Sequence, residues 1–112
     1  MRWFGSLRRQ SEIAFVRRRG RRAAFATFVS YGVAGPVAGG CRVGITASKD
    51  VGGAVERNRA RRRLRGALER VREPRPAGRV LFILRETAAI EPFERLAADA
   101  ATALSRVLAP GA

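Results

Sequence analysis

A chain of 112 residues with an apolar fraction of 46% has room for one modest core and no second domain. Its 23 basic residues against 9 acidic ones leave a formal net charge of +14, which asks for a polyanion, nucleic acid being the most available. There is no histidine, the commonest general base and metal ligand, and no apolar run long enough to span a membrane; both observations argue against a self-sufficient nuclease or a membrane protein.

In chain order, no signal-peptide hydrophobic segment follows Met1-Arg2-Trp3-Phe4-Gly5. Residues 7–19 predict a helix with an apolar stripe of Leu7, Ile13 or Ala14, and Val16, and with Phe15 to one side. Ser11 is expected to cap it, Glu12 suits its first turn, Arg17-Arg18-Arg19 complement the dipole at its end, and Gly20 stops it. Residues 21–33, rich in aromatic and β-branched side chains, read as extended with a break near Ala26. Gly35-Pro36 and Gly39-Gly40 mark a turn. Arg42–Ala47 alternates as a strand with Val43, Ile45 and Ala47 on one face. Cys41 has no intramolecular partner; it suits a reducing cytoplasm and the role of a small buried hydrophobe at the strand start.

Residues 48–53 form a loop, and a long helix is expected from Ala54 to Val71. Gly53 is its N-cap, Glu56 lies in its first turn, and Ala60, Leu64, Leu68 and Val71 make its buried face; Pro74 and Pro76 end it. Residues 79–84 are a continuous apolar strand, placed centrally in a sheet. Glu91-Pro92 opens a last helix with Pro92 at its first position and a buried stripe of Phe93, Leu96, Ala97, Ala100, Leu104, Val107 and Leu108. The whole chain, 1–112, therefore reads as one α+β domain, a sandwich whose sheet of about four strands is covered by helices.

The long helix carries the main functional signal. Six arginines, Arg57, Arg59, Arg61, Arg62, Arg63 and Arg65, fall within nine residues. At ~100° per residue, Asn58, Arg62 and Arg65 fall on one flank of the Leu64–Leu68 stripe, Arg59 and Arg63 on the other, and Arg61 near its edge. As a merely solvated surface, so many like charges spaced i,i+4 would repel each other, whereas bound phosphate relieves that repulsion. Nearly all the basic residues are arginine, the side chain suited to bidentate phosphate contact; Lys49 is the sole lysine.

The segment Arg42-Val43-Gly44-Ile45-Thr46-Ala47-Ser48-Lys49, followed by Gly52-Gly53-Ala54-Val55-Glu56-Arg57-Asn58-Arg59 and the basic helix, resembles in register the hallmark of the bacterial ribonuclease P protein family. The resemblance extends more weakly over nearly the whole chain. It implies an α-β-β-β-α-β-α order with a left-handed β-α-β crossover, against the usual hand. It also implies a non-catalytic subunit, paired one to one with a catalytic RNA in the cytoplasm, that promotes endonucleolytic removal of the 5′ leader from precursor tRNA. The RNA, with its bound Mg²⁺, carries out the hydrolysis. By the same resemblance, Lys49, Arg57, Asn58, Arg59, Arg61, Arg62 and Arg65 should face the catalytic RNA. Ile13, Val16, Arg17, Phe28 and Tyr31 should line a leader cleft between the first helix and the sheet. Phe28 has core packing as an equal alternative, while the polar tip of Tyr31 suits a wet cleft.

The sequence departs from the family pattern at Ile13 and Arg17, where cleft aromatics are usual, at Asp50, which replaces a second lysine, and at Gly53, which replaces an asparagine. A general RNA-binding module shares the composition but does not require the neutral residues of this motif. A nuclease acting alone requires a general base or a carboxylate metal cluster.

Overall fold

The apolar run expected to be central does occupy the middle of the sheet. In the computed structural model, which describes residues 2–71 and 76–109, β5 (Gly78–Leu84) lies between β4 (Cys41–Ala47) and β3 (Phe28–Ala34). It pairs parallel with β4 and antiparallel with β3. Beyond β3 lies β2 (Arg21–Ala24), and beyond β4 lies β1 (Gly5–Ser6), which gives five strands in the order β1-β4-β5-β3-β2. The helices are α1 (Gln10–Arg19), α2 (Ala54–Glu69) and α3 (Phe93–Val107), and short 3₁₀ turns cover Lys49–Val51 and Glu86–Ala89.

Strand alternation sorts the side chains into two unequal layers. Phe28, Cys41, Val43, Val80, Phe82 and Leu84 project to the face covered by α2 and α3. There they pack with Ala60, Leu64, Leu68, Leu96, Ala100 and Leu104 in the main core, and Phe28 meets Phe82 edge-on at 5.0 Å between centroids. Two polar groups of this layer are satisfied locally. The buried Thr27 hydroxyl donates to Asp99 at 2.8 Å, and the buried Ser30 hydroxyl donates to the Ala23 carbonyl at 2.9 Å. The opposite face carries Tyr31, Val33, Leu81 and Ile83; it is covered by α1, through Ile13 and Val16, and by Leu7 of the segment that leads into that helix. One short helix against a five-stranded sheet leaves part of that face uncovered.

Several local expectations are corrected. The sheet has five strands rather than about four, because Gly5 and Ser6 pair with Arg42 and Val43; two residues are too few to show a pattern. The first helix begins at Gln10, not residue 7, because the Leu7 amide donates to the Val43 carbonyl at 2.9 Å and holds that stretch on the sheet edge. Its N-cap is Arg9, and Ser11 lies inside the first turn without capping it. The second helix ends at Glu69 rather than Val71, and Pro92 is the cap residue of α3 rather than its first helical position. Pro74 lies outside the described residues. Gly20 does follow α1, but with φ −73° it needs no left-handed freedom. A Cβ there would lie 2.4 Å from the Val16 carbonyl oxygen and 2.9 Å from the Gly32 nitrogen, so the close approach of helix to strand requires glycine.

Candidate nucleic-acid interface

The start of α2 is set by Glu56, whose carboxylate accepts the Gly53 amide at 2.9 Å and also complements the positive end of the helix. From there Ala60, Leu64, Ala67 and Leu68 turn inward and are almost fully buried, so the arginines between them must turn outward. The two flanks then differ. On the α3 side, Arg63 donates to the Ala88 carbonyl at 2.9 Å and to the Glu91 carbonyl, and Arg70 pairs with Glu94 at 2.8 Å over the Phe93 ring. These arginines hold the helix to its neighbours.

The other flank is uncommitted. Asn58 and Arg62 are exposed, Arg57, Arg61 and Arg65 are partly exposed, and Val55, Asn58, Arg62 and Arg65 line a shallow groove. Arg61 donates to the Asn58 amide oxygen at 3.2 Å. The ion pairs among the described residues are Arg2–Glu69, Arg70–Glu94 and Arg79–Glu12, none of which involves the cluster from Arg57 to Arg65. Arg59 is exposed on the α3-side flank, and Lys49 is exposed in the turn that leads into the helix. Along the helix the two carboxylates stand at its ends, Glu56 on the Gly53 amide and Glu69 with Arg2, so the arginines between them present a positive surface suited to phosphate.

The second surface lies on the half-covered face of the sheet. The Arg17 guanidinium sits 5.9 Å from the centroid of the Tyr31 ring, and half-buried Ile13 packs beside it. Arg79 pairs with Glu12 at 3.0 Å and ties α1 to β5. Val16 is fully buried beneath α1 and forms the floor of this region rather than a contact surface. Phe28 is corrected: it is fully buried in the main core on the opposite face and lines no cleft. Phe28 and Tyr31 are three apart in one strand, and an odd separation puts them on opposite faces. The same alternation identifies the lining residues that the sequence reading missed. Half-buried Val29 and Ile83 share the Tyr31 face and continue as an open groove toward Ser48, Asp50 and Arg85, just ahead of α2.

Among the described residues no group of three or more His, Cys, Asp or Glu side chains is placed to hold a metal ion. Cys41 is buried at the start of β4, and burial pushes its thiol from the ordinary value of 9.0 up to about 11. That is the opposite of what a nucleophilic or redox-active cysteine needs. No helix among the described residues is long and apolar enough to cross a membrane.

The family model described as Ribonuclease P matches residues 1–108. The ribonuclease P protein component of Streptomyces avermitilis is 38% identical over 115 residues, covering 95% of this chain and 94% of the relative. That of Caulobacter vibrioides is 49% identical over 65 residues, which covers 56% of this chain but 44% of the relative, so the match spans under half of that protein's length. Among solved structures, the ribonuclease P protein of Thermotoga maritima superposes with a TM-score of 0.77 at 18% identity, covering 91% of this chain and 96% of that one. The Staphylococcus aureus protein superposes at 0.70 with 21% identity, covering 96% and 93%. At such identities the structural matches speak for the fold.

Proposed function

The chain belongs to the ribonuclease P protein family, and on that premise we propose that it is the protein subunit that pairs with a catalytic RNA to remove 5′ leaders from precursor tRNA. In this reading the solvent-facing arginines of α2, those of the uncommitted flank together with Arg59, bind the catalytic RNA. Arg57, Arg59, Arg61, Arg62 and Arg65 neutralise phosphates, Asn58 contributes a neutral donor among them, and Lys49 extends the charge to the preceding turn. The observation that carries the reading is the asymmetry of α2: one flank is tied down by Arg63 and Arg70, and the other holds its guanidinium groups away from every carboxylate among the described residues.

The groove beside α1 takes the single-stranded leader. Tyr31 offers a ring on which a base can stack, typically worth ~1–3 kcal/mol per base, and Arg17 lies against the same ring to meet the adjoining phosphate. Val29 and Ile83 provide an apolar floor that does not discriminate among bases. With Ile13 and Arg17 in place of aromatics, leader affinity rests more on charge than on stacking. Bond cleavage belongs to the RNA and to Mg²⁺ held chiefly by its phosphates. The protein acts by holding the active RNA conformation and by fixing the substrate's leader. One protein per RNA, in the cytoplasm, is the expected assembly.

Two measurements test this. The purified protein incubated with precursor tRNA and Mg²⁺ but without the RNA subunit should give no specific cleavage; robust 5′ processing would refute the accessory role. In titrations of the RNA subunit over a salt series, Arg62→Ala and Arg65→Ala should each lower the slope of log affinity against log salt by roughly 0.7–0.9. An unchanged slope would place this flank outside the interface.

A further inference from the structure

We infer that the groove on the exposed flank of α2, lined by Val55, Asn58, Arg62 and Arg65, holds an unpaired nucleobase of the partner RNA rather than phosphate alone. The inference rests on α2 being the RNA-binding face and names what this part of it reads. Val55 occupies the second position of α2 and is 73% exposed. A β-branched residue there neither fills the core nor favours the helix, so folding gives no reason for it. A phosphate site gains nothing from an isopropyl group, because charge and hydrogen-bond donors, not apolar contact, hold the anion.

The groups around Val55 complete the chemistry. The amide oxygen of Asn58 is already taken by Arg61 at 3.2 Å, which leaves the Asn58 NH₂ as a donor to an incoming acceptor. Arg62 and Arg65 add planar guanidinium forks, which match the acceptor edge of a purine or stack on its face, and their methylene stems widen the apolar surface around the valine. A ligand with a flat apolar face and an acceptor-rich rim is a nucleobase. Bases inside an A-form helix are out of reach of a protein helix, so the base that enters is one from a loop, bulge or junction.

The test is a binding titration with the RNA subunit of a bacterial ribonuclease P across a salt series, using Val55→Ala, Val55→Lys and Val55→Leu in the full chain. Circular dichroism is recorded on each variant; this exposed position should tolerate all three. Val55→Ala should weaken binding roughly tenfold, the scale expected for losing two buried methyl groups, and Val55→Leu should bind within a factor of two or so of the parent. Val55→Lys should also weaken binding despite its added charge. Val55→Ala binding like the parent, or Val55→Lys binding more tightly with a steeper salt dependence, would overturn the base pocket. Arg62→Ala and Arg65→Ala run in parallel separate the two claims. If their slopes fall as expected while Val55 proves indifferent, only the pocket fails. If their slopes do not change, the RNA-binding face itself fails.

Discussion

Phe28 and Tyr31 show how much one residue of register decides. Both look like aromatics available to RNA, yet Phe28 is fully buried against Phe82, while Tyr31 shares the open face with Arg17. Phe28→Ala should therefore cost ~3–5 kcal/mol in a denaturant melt, as for other buried aromatics. Tyr31→Ala should cost well under that but reduce the advantage of leader-bearing over leaderless precursor tRNA in binding. If Phe28→Ala melts like the parent, the assignment of faces is wrong. Strand alternation puts Phe28 and Tyr31 on opposite faces, but the sequence does not say which face the thicker helical layer covers; that is set by α2 and α3 packing on the Phe28 side. Cys41 makes a second prediction at this scale. Its thiol titrates near 11 in the folded chain against an ordinary 9.0. The unfolded chain thus releases this proton first. The contribution is fully present below pH ~9, and stability falls as pH rises from there toward 11. A Cys41→Ala variant should show a shallower loss of melting temperature over that window, and thiol reagents should label the parent only as it unfolds.

At the scale of the element, α2 divides its arginines between those that hold the fold, such as Arg63, and those that face solvent, such as Arg62. Arg63→Ala should cost about 1.5–3 kcal/mol, because two backbone carbonyls lose a charged donor, while Arg62→Ala should change stability by less than ~0.5 kcal/mol. Equal effects on the melting curve would contradict the division. The helical wheel separated the flanks from the sequence alone, since Ala60, Leu64 and Leu68 fix which side is buried. It could not reveal what Arg63 bonds, because the carbonyls of Ala88 and Glu91 are brought there by a 3₁₀ turn and a chain reversal that carry no periodic signal. The same limit hid β1, whose two residues are strand only because β4 offers them an edge.

For the whole molecule, the decisive feature is a sheet with one thickly covered face and one thinly covered face. The first supplies stability, and the second leaves an open groove from Val29 and Ile83 toward the turn before α2, so that the proposed leader and RNA surfaces adjoin around residues 48–51. A net charge of +14 on so small a body opposes its own compaction. Raising ionic strength from a Debye length of ~30 Å to one of ~8 Å should raise the melting temperature, whereas a protein held by its few ion pairs would lose stability. The central claim is that this body assists a catalytic RNA through the leader. The most direct test reconstitutes the protein with a bacterial ribonuclease P RNA at low Mg²⁺ and measures 5′ processing of precursor tRNAs with long and minimal leaders against RNA alone. The account predicts strong stimulation that grows when the leader is long enough to enter the groove. Tight RNA binding with no stimulation would contradict it and leave a general RNA-binding protein in its place.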